Sequence, residues 1–271
     1  MASDPSHIEL RSLKSEADYR QCVALQRETW GENFLEVIPP TMLIASQQVG
    51  GICAGAFDNG GQLLGFVFGI CGPRQGRLVH WSHMLAVHRH LQGHGLGRRL
   101  KSYQRDQLLE MGIATVYWTY DPLVARNAHL NLNRLGARPI VYEENIYGED
   151  TGSELHSLGT DRFVVEWRLS DPEVERALNS GLSVDESTVG AAPVVNPEAQ
   201  VTEFSLQPSV RVEVPFDIQR VQDESVEVAH RWRSSTRQAF VRYLTEGYSV
   251  VGFHRETGSQ RCFYVMKRQT P

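Results

Sequence analysis

Glycines and histidines are concentrated in one short stretch of this chain. The run Gln92-Gly93-His94-Gly95-Leu96-Gly97 follows an apolar segment that ends at Val87, and it leads directly into a segment with helical periodicity. Glycine lets the backbone turn tightly and approach a ligand closely. The N-terminus of a helix presents unpaired N–H groups and a positive dipole end. Together these features favour binding of a pyrophosphate group.

Three kinds of phosphate-binding loop fit such a segment, and residue spacing separates them. A Walker loop requires Gly-Lys-Ser/Thr, which the chain lacks. A dinucleotide fingerprint requires glycine or alanine where this chain has Leu100. The pattern Gln-x-x-Gly-x-Gly is the coenzyme A pyrophosphate motif of the GNAT N-acyltransferases, and the first 170 residues resemble that family. A glycine-rich turn that only caps a helix remains the alternative.

The resemblance implies the GNAT acyl-CoA N-acyltransferase fold, which is α/β (α+β) with a mixed, mostly antiparallel central sheet flanked by helices. The predicted order of elements agrees with it, and Asp58-Asn59-Gly60-Gly61 between two apolar runs predicts a hairpin. We predict an acyltransferase domain over 1–170 and a linker over 171–200. Residues 201–271 form a predicted C-terminal α/β extension, a helix and a hairpin, that packs on the first domain or on a partner subunit.

The resemblance also implies acetyl-CoA or another acyl-CoA as the acyl donor. In the family the strand before the loop offers backbone groups to the pantetheine arm, and an Asn at the start of a later helix commonly contacts the coenzyme. Asn127 matches that Asn. The predicted coenzyme-binding residues are Leu85, Val87, Gln92, Gly93, His94, Gly95, Leu96, Gly97, Arg98 and Asn127. No metal is expected, because the five histidines between 80 and 94 fall on a strand, a bend and a loop, without a Cys pair.

Acyl transfer to an ammonium group requires a base to remove a proton from the nitrogen. His83 is the first candidate, because the run from His83 to Arg89 is similar to a strand of the serotonin-type arylalkylamine N-acetyltransferases, where histidines relay the amine proton. Strand alternation predicts two faces, one with Trp81, His83 and Leu85 and the other with His80, Ser82 and Met84. His80 becomes the base if the second face lines the site. A structural, half-buried role is the alternative for both histidines.

The proton donor for the departing thiolate is not evident. Many GNAT enzymes place a tyrosine four residues before the glycine that ends the Asn-containing helix, whereas this chain has Leu132 there. Tyr120, Tyr142, Tyr147 or water could supply the proton instead. Of these we name Tyr120 as the candidate catalytic residue.

Four residues are predicted to contact the acyl acceptor. Glu28 and Trp30 lie where the family places its substrate-binding helices, and Trp81 shares the predicted face of His83. Arg237 lies on the C-terminal helix, where the forked donors of arginine would suit a carboxylate-bearing acceptor such as an amino acid. Solvated arginines paired with neighbouring glutamates are the alternative on that helix.

The predicted function is therefore transfer of an acyl group, acetyl by preference, from coenzyme A to the primary amine of a small molecule. N-succinyltransfer to an amino acid and a non-catalytic acyl-CoA sensor remain as alternatives. The net charge of −5 argues against nucleic acid as a partner, and 41% hydrophobic content without a long apolar run argues against a membrane span. Four scattered cysteines predict reduced thiols and a cytoplasmic protein, and a homodimer is compatible with the sequence.

Overall fold

The computed structural model of the protein describes residues 8–148, 157–201, 204 and 206–269. The chain divides into two units. The first comprises Met1–Trp118 with Arg168–Ser170, and the second comprises Thr119–Trp167 with Asp171–Pro271. The division into 1–170, 171–200 and 201–271 stays a prediction from sequence.

The first unit begins with a strand, two helices and a strand hairpin, and the hairpin lies where the sequence predicted it. Its elements are β1 (Glu9–Ser12), α1 (Glu16–Trp30), α2 (Pro40–Gln48), β2 (Ile52–Phe57), β3 (Leu63–Arg74), β4 (Arg77–Val87), a 3₁₀ turn (Arg89–Leu91), α3 (Leu96–Glu110) and the start of β5 (Thr115–Tyr120). Local sequence explains the helix boundaries. Ser15 and Asp18 form a capping box at the start of α1, and Pro40 occupies the first turn of α2, where its missing N–H costs nothing.

The sheet of the first unit is antiparallel from β1 to β4, and β4 runs parallel to β5. Its core lies under α1 and α2, where apolar side chains of the helices meet those of β2, β3 and β4. The buried members are Leu13, Tyr19, Cys22, Leu25, Leu43, Cys53, Phe57, Leu63, Phe66, Phe68, Met84 and Ala86. Burial of these side chains holds α1 and α2 on one face of the sheet.

A β-bulge interrupts the β3–β4 pairing at His83. Phe68 pairs with Met84 and the next residue, Gly69, pairs with Ser82, so His83 has no partner on β3. An extra residue on one strand reverses the alternation beyond it. Met84 accordingly packs in the core under α1 and α2, whereas Ser82 contacts α3. The predicted common face for Ser82 and Met84 is therefore wrong, because period-two counting assumes an uninterrupted strand.

The second unit contains the end of β5 and the rest of the chain. Its elements are α4 (Ala125–Ala128), a π-helical turn (His129–Arg134), β6 (Arg138–Glu143), β7 (Arg162–Arg168), α5 (Pro172–Asn179), α6 (Glu186–Ala191), a 3₁₀ turn (Pro197–Ala199), β8 (Ser209–Pro215), α7 (Ile218–Glu224), α8 (Val226–Thr245), β9 (Tyr248–Arg255) and β10 (Arg261–Arg268). The strand orders are β1-β2-β3-β4-β5-β7-β6 and β8-β10-β9. The fold is thus α/β with a mostly antiparallel seven-stranded sheet, as predicted.

The C-terminal part contains more structure than the predicted helix and hairpin. The strand β8 pairs with β10 on the side opposite β9, which makes a three-stranded sheet. Ser225 caps a separate helix, so the predicted single helix begins as α7 and resumes as α8. The helices α5 and α6 lie in the segment predicted as a linker. They are short, and α5 buries only Val174 and Ala177, which leaves a weak periodic signal.

Candidate functional site

The glycine loop joins β4 to α3 with a backbone that requires glycine. Gly93 and Gly95 both have φ of +83°, a region that L side chains rarely adopt. A Cβ at either position would meet no atom within 4 Å, so the space in front of the loop is open. Gly95 is the N-cap of α3, and no side chain caps that helix. The loop therefore presents backbone N–H groups of a helix N-terminus to an open approach, an arrangement that fits a pyrophosphate.

Side chains of the loop itself hold this geometry. The Gln92 amide donates to the Val87 carbonyl at 3.0 Å, which ties the loop to the end of β4. The His94 ring lies 3.0 Å from the Gln92 carbonyl. Leu96 is buried and anchors the first turn of α3. Arg89 and Arg99 are exposed around the loop and give it local positive charge.

Three other predicted residues of the first unit, on β4, have side chains that are buried or half-buried. Val87 is buried toward Leu100 of α3, where both line the backbone of Gly65. Leu85 and Trp81 are half-buried on β4 and pair with Val67 and Ile70. The backbone contacts of Leu85 and Val87 with the pantetheine arm, which the family resemblance implies, stay a prediction.

His83 is exposed at the bulge, with its ring at the edge of the apolar core. The ring meets that of Phe68 edge-on, with centroids 6.2 Å apart. Although part of the ring is exposed, the protein atoms packed around the rest of it desolvate the imidazole and lower the pKa of His83 below its usual value, and the carboxylate of Glu36 offsets part of the shift. A neutral imidazole with one free nitrogen is the form that accepts a proton. The lowered pKa therefore favours the neutral ring of His83 at neutral pH, and its role as a base stays a prediction.

His80 lies on the α3 side of β4 and is fully buried. The amide of Gln104 is oriented by the Lys101 ammonium, which donates to Gln104 Oε1 at 2.7 Å. Gln104 Nε2 therefore donates to His80 Nε2 at 3.0 Å, which leaves the ring proton on Nδ1, 3.3 Å from the Cys71 sulfur. Burial and the charge of Lys101 lower the pKa of His80 to about 3. Both ring nitrogens are engaged, which describes a structural histidine.

Glu28 and Trp30 both lie near the C-terminal end of α1, but they have different surroundings, and their contact with the acyl acceptor stays a prediction. The Glu28 carboxylate lies 2.8 Å from Nδ1 of His88. Trp30 packs on the core, with its ring centroid 5.5 Å from that of Phe34 and 6.3 Å from that of Phe66. Trp30 thus packs on the same apolar cluster that contains Phe68, whose ring meets that of His83.

Glu36 is a residue that the sequence analysis missed. It lies in the segment between α1 and α2, it is exposed, and its charge acts on His83. A signal for it exists in the sequence, because residues 28–73 contain no lysine or arginine and carry Glu28, Glu32, Glu36 and Asp58. The neighbours that the structure gives His83 are thus one aromatic ring, Phe68, and one negative charge, Glu36.

Tyr120, Asn127 and Arg237 belong to the second unit. The Tyr120 hydroxyl is buried and makes no hydrogen bond of normal geometry within the described residues, and burial raises its pKa well above the usual value. Asn127 is half-buried in α4, where its N–H donates to the Val124 carbonyl. Leu132, at the position of the family's tyrosine, is buried in the π-helical turn.

The guanidinium group of Arg237 is hydrogen-bonded within the protein. Its guanidinium donates to both oxygens of Asp161, at 2.8 and 2.6 Å, and Asp161 is fully buried. Tyr142 donates to the same carboxylate at 2.6 Å. The neighbouring Arg233 is buried and donates to Asp121 at 2.6 Å. The partner that we predicted for Arg237 was the carboxylate of an acyl acceptor. In the structure, a carboxylate of this chain, Asp161, takes that place.

Two classes of feature are not found in the described part of the chain. No group of three or more His, Cys, Asp and Glu side chains there could hold a metal ion. No helix there is long and apolar enough to cross a membrane.

Residues 19–136 match the sequence profile of the acetyltransferase (GNAT) family. This part of the chain, which includes α1, the bulged strand β4, the glycine loop and α3, is a domain of the GNAT superfamily. No curated protein sequence matches the chain.

Similar solved structures have low sequence identity to the chain. The ribosomal-protein-S18-alanine N-acetyltransferase from Escherichia coli is 18% identical and covers 61% of this chain and 96% of its own, with a TM-score of 0.45. An aminoglycoside 6′-N-acetyltransferase complexed with coenzyme A is 17% identical, with coverages of 61% and 98% and a TM-score of 0.46. A GNAT-family acetyltransferase from Streptococcus pneumoniae is 17% identical, with coverages of 60% and 99% and a TM-score of 0.48.

Proposed function

We propose that this protein is an acyl-CoA-dependent N-acyltransferase that acylates the primary amine of a small molecule. The observation that carries the proposal is the loop from Gln92 to Gly97, with two left-handed glycines in front of an uncapped helix N-terminus, inside a GNAT domain. Gly93, Gly95 and the first turn of α3 would hold the pyrophosphate, and the backbone of Leu85 and Val87 would hold the pantetheine arm. Acetyl is the acyl group that the family membership supports best.

Bound acyl-CoA supplies a thioester, whose carbonyl carbon forms the new C–N bond while the C–S bond breaks. The thiolate that leaves takes up the second proton lost by the nitrogen, by way of water, and departs as a free thiol. His83 takes the proton that the attacking ammonium must lose. Its exposed position at the bulge and its lowered pKa support this role, because the ring is neutral near neutral pH. Proton transfer of this kind contributes about 10²–10⁴-fold to a rate. His80, buried and doubly engaged, is not part of the proposed site.

Glu36 is the proposed contact for the positive charge of the acceptor. An incoming ammonium near His83 would face a carboxylate and the ring of Phe68, and residues 28–73 provide no cation to repel it. Nothing in that stretch offers a cationic partner to an acceptor's carboxylate. Amine acceptors without a carboxylate therefore have more support here than amino acids. No specific observation favours succinyl transfer to an amino acid.

The experiment is release of free thiol from acetyl-CoA and succinyl-CoA with a panel of alkylamines, arylalkylamines, polyamines, amino acids and a lysine peptide. Turnover with amines, lost in the His83→Gln variant and kept in His90→Gln, would support the proposal. Coenzyme A binding without thiol release for any acceptor would instead favour the sensor alternative, which Leu132 and the buried Tyr120 motivate. Absence of coenzyme A binding would refute both.

A further inference from the structure

The core face of β3 continues beyond the part that α1 and α2 cover. Phe66 and Phe68 of β3 belong to the core under these helices. Because side chains alternate between the two faces of a strand, Ile70 and Gly72 follow on the same face. Ile70 is 47% exposed, and a Cβ at Gly72 would meet no atom of the described residues within 4 Å. The core face of β3 therefore leads into an open surface.

The neighbouring strands β4 and β5 extend this surface sideways. Trp81 of β4 pairs with Ile70, and Tyr117 of β5 pairs with Trp81. His80 and Ser82, on either side of Trp81 in the chain, both contact α3 on the opposite face. Alternation therefore places the Trp81 side chain on the same face as Ile70, and Trp81 and Tyr117 are half-buried there. Ile70, Trp81 and Tyr117 form a row across three strands, which we call the apolar row.

The apolar row begins beside His83. Trp81 precedes His83 by two residues, and Ile70 follows Phe68 by two residues, which is about 7 Å along a strand. The ring of His83 meets that of Phe68 edge-on, with centroids 6.2 Å apart. The bulge thus brings the ring of the candidate base to the face that carries the apolar row.

Charges of opposite sign flank the apolar row. The carboxylate of Glu36 acts on His83, at the near end. The guanidinium of Arg74 lies 4.7 Å from the centroid of the Tyr117 ring, at the far end, and Arg74 is exposed. An ammonium group is attracted by the first charge and repelled by the second. A ligand with one ammonium and an uncharged apolar body matches this arrangement, whereas a second ammonium at the far end does not.

We propose that Ile70, Trp81 and Tyr117 bind the apolar body of the acyl acceptor, which makes the acceptor a monoamine with a long apolar group. Polyamines and short polar amines are then poor acceptors. The inference rests on the proposed function, since it takes the His83 side of the sheet as the acceptor side. The three residues determine specificity and take no part in the chemical step. Each CH₂ group of the acceptor that the row buries should raise kcat/KM about threefold to fourfold.

The first test is thiol release from acetyl-CoA with butylamine, hexylamine, octylamine and 1,6-diaminohexane. We expect kcat/KM to rise at least tenfold from butylamine to octylamine, because the longer chain buries more apolar surface. Hexylamine should exceed 1,6-diaminohexane, which differs from it only by a terminal ammonium, by at least tenfold. Equal kcat/KM for the three monoamines, or a preference for the diamine, would overturn the inference.

Variants of exposed residues locate the effect on one face of the hairpin. Ile70→Ala should lower kcat/KM for octylamine about tenfold, mainly through KM, and leave butylamine within about twofold. Leu78→Ala is the matched control, because Leu78 is 57% exposed on β4 and alternation places it on the α3 face with His80. Ile70→Glu should shift the preference toward 1,6-diaminohexane, a gain that impaired folding cannot produce. Octylamine kinetics that Ile70→Ala leaves unchanged would refute the role of the row.

A binding measurement separates this inference from the function itself. In the full-length protein with ¹³C-labelled isoleucine methyl groups, we expect octylamine to shift the Ile70 resonance in a saturable way, and Trp81→Ala to abolish the shift. If no amine releases thiol, the proposed function fails, and the Ile70 resonance still decides whether the row binds an apolar amine. Thiol release together with an unmoved Ile70 resonance refutes the inference and leaves the proposed function intact.

Discussion

Arg237 and Asp161 form a two-bond ion pair in which the carboxylate is fully buried and the guanidinium is partly exposed. Removing the arginine would leave a buried charge with fewer donors, which is costly in a protein interior. We expect Arg237→Ala to lower the free energy of unfolding of the second unit by about 2 kcal/mol or more. Arg231→Ala, on an exposed position of the same helix, is the control. Unchanged chemical denaturation of Arg237→Ala would contradict this role.

The same carboxylate predicts acid sensitivity. Burial alone would raise the pKa of Asp161, but hydrogen bonds from Arg237 and Tyr142 more than offset this, so its pKa lies below the usual value. A carboxyl with a lowered folded pKa contributes stability above its unfolded pKa of about 3.9, and that stability is lost as pH falls through the folded pKa. We expect thermal unfolding of Asp161→Asn to lose the part of the wild-type acid destabilisation that lies below about pH 4. If the unfolding temperatures of the wild type and of Asp161→Asn fell in parallel below about pH 4, Asp161 would not be a source of the acid sensitivity.

Gly95 and Gly112 provide a matched pair at the two ends of α3. Both have positive φ, +83° and +75°, and a Cβ at either would meet no atom within 4 Å. Alanine at each position should therefore cost about 1–2 kcal/mol of stability through backbone strain. We expect only Gly95→Ala to weaken coenzyme A binding strongly, because only its backbone would approach the pyrophosphate. Equal loss of affinity in both variants, by calorimetry, would show that the loop is not the site.

Protonation of His83 is expected to cause the loss of activity at low pH, which is the acid limb of the pH–activity profile. Its pKa is lowered, mainly by burial, so the base form is present at neutral pH and is lost as pH falls below the usual imidazole range of about 6.5. We expect His83→Gln to reduce kcat by about 10²-fold or more and to abolish this acid limb. The exposed His90→Gln variant should keep both. An acid limb that persists in His83→Gln would assign the base to another group.

His80 predicts a second, structural response to acid. Its folded pKa of about 3, set by burial and by Lys101, lies below the unfolded value of about 6.5. Protons then bind the unfolded chain preferentially, so the first unit should lose stability as pH falls from about 6.5 toward 3. We expect this slope to be smaller in His80→Leu than in the wild type, by denaturant titration at several pH values. His94→Asn, an exposed histidine, is the control and should retain the slope.

Local patterns were sufficient for most of the fold. The helical spacing after Gly95, the Pro40 start of α2 and the Asp58–Gly61 turn each depend on a few adjacent residues, and the structure places α3, α2 and the β2–β3 hairpin there. The C-terminal sheet was harder to predict. The strand β8 pairs with β10, which follows it by about 50 residues, and no local signal specifies such a pairing.

The sequence identified individual candidate residues, but it did not predict on which face of β4 each of them lies. The glycine loop was identified by residue type and spacing alone, because φ above zero restricts the choice to glycine. The bulge at His83 was not, since it depends on how β3 and β4 align across the sheet. That alignment separates His80 and Ser82, on the α3 side, from Met84, in the core under α1 and α2.

The amino-acid sequence by itself determined the GNAT domain, the glycine pattern of the candidate coenzyme loop and the absence of lysine and arginine over residues 28–73, because these follow from residue identities at short spacing. Only the tertiary structure decided which of the polar side chains already have hydrogen-bonding partners within the protein. Arg237 is paired with Asp161, His88 with Glu28, and His80 with Gln104. The residues of each pair are more than 20 positions apart in the chain. Hydrogen bonds and burial act over a few ångströms of space, so chain order alone does not reveal them.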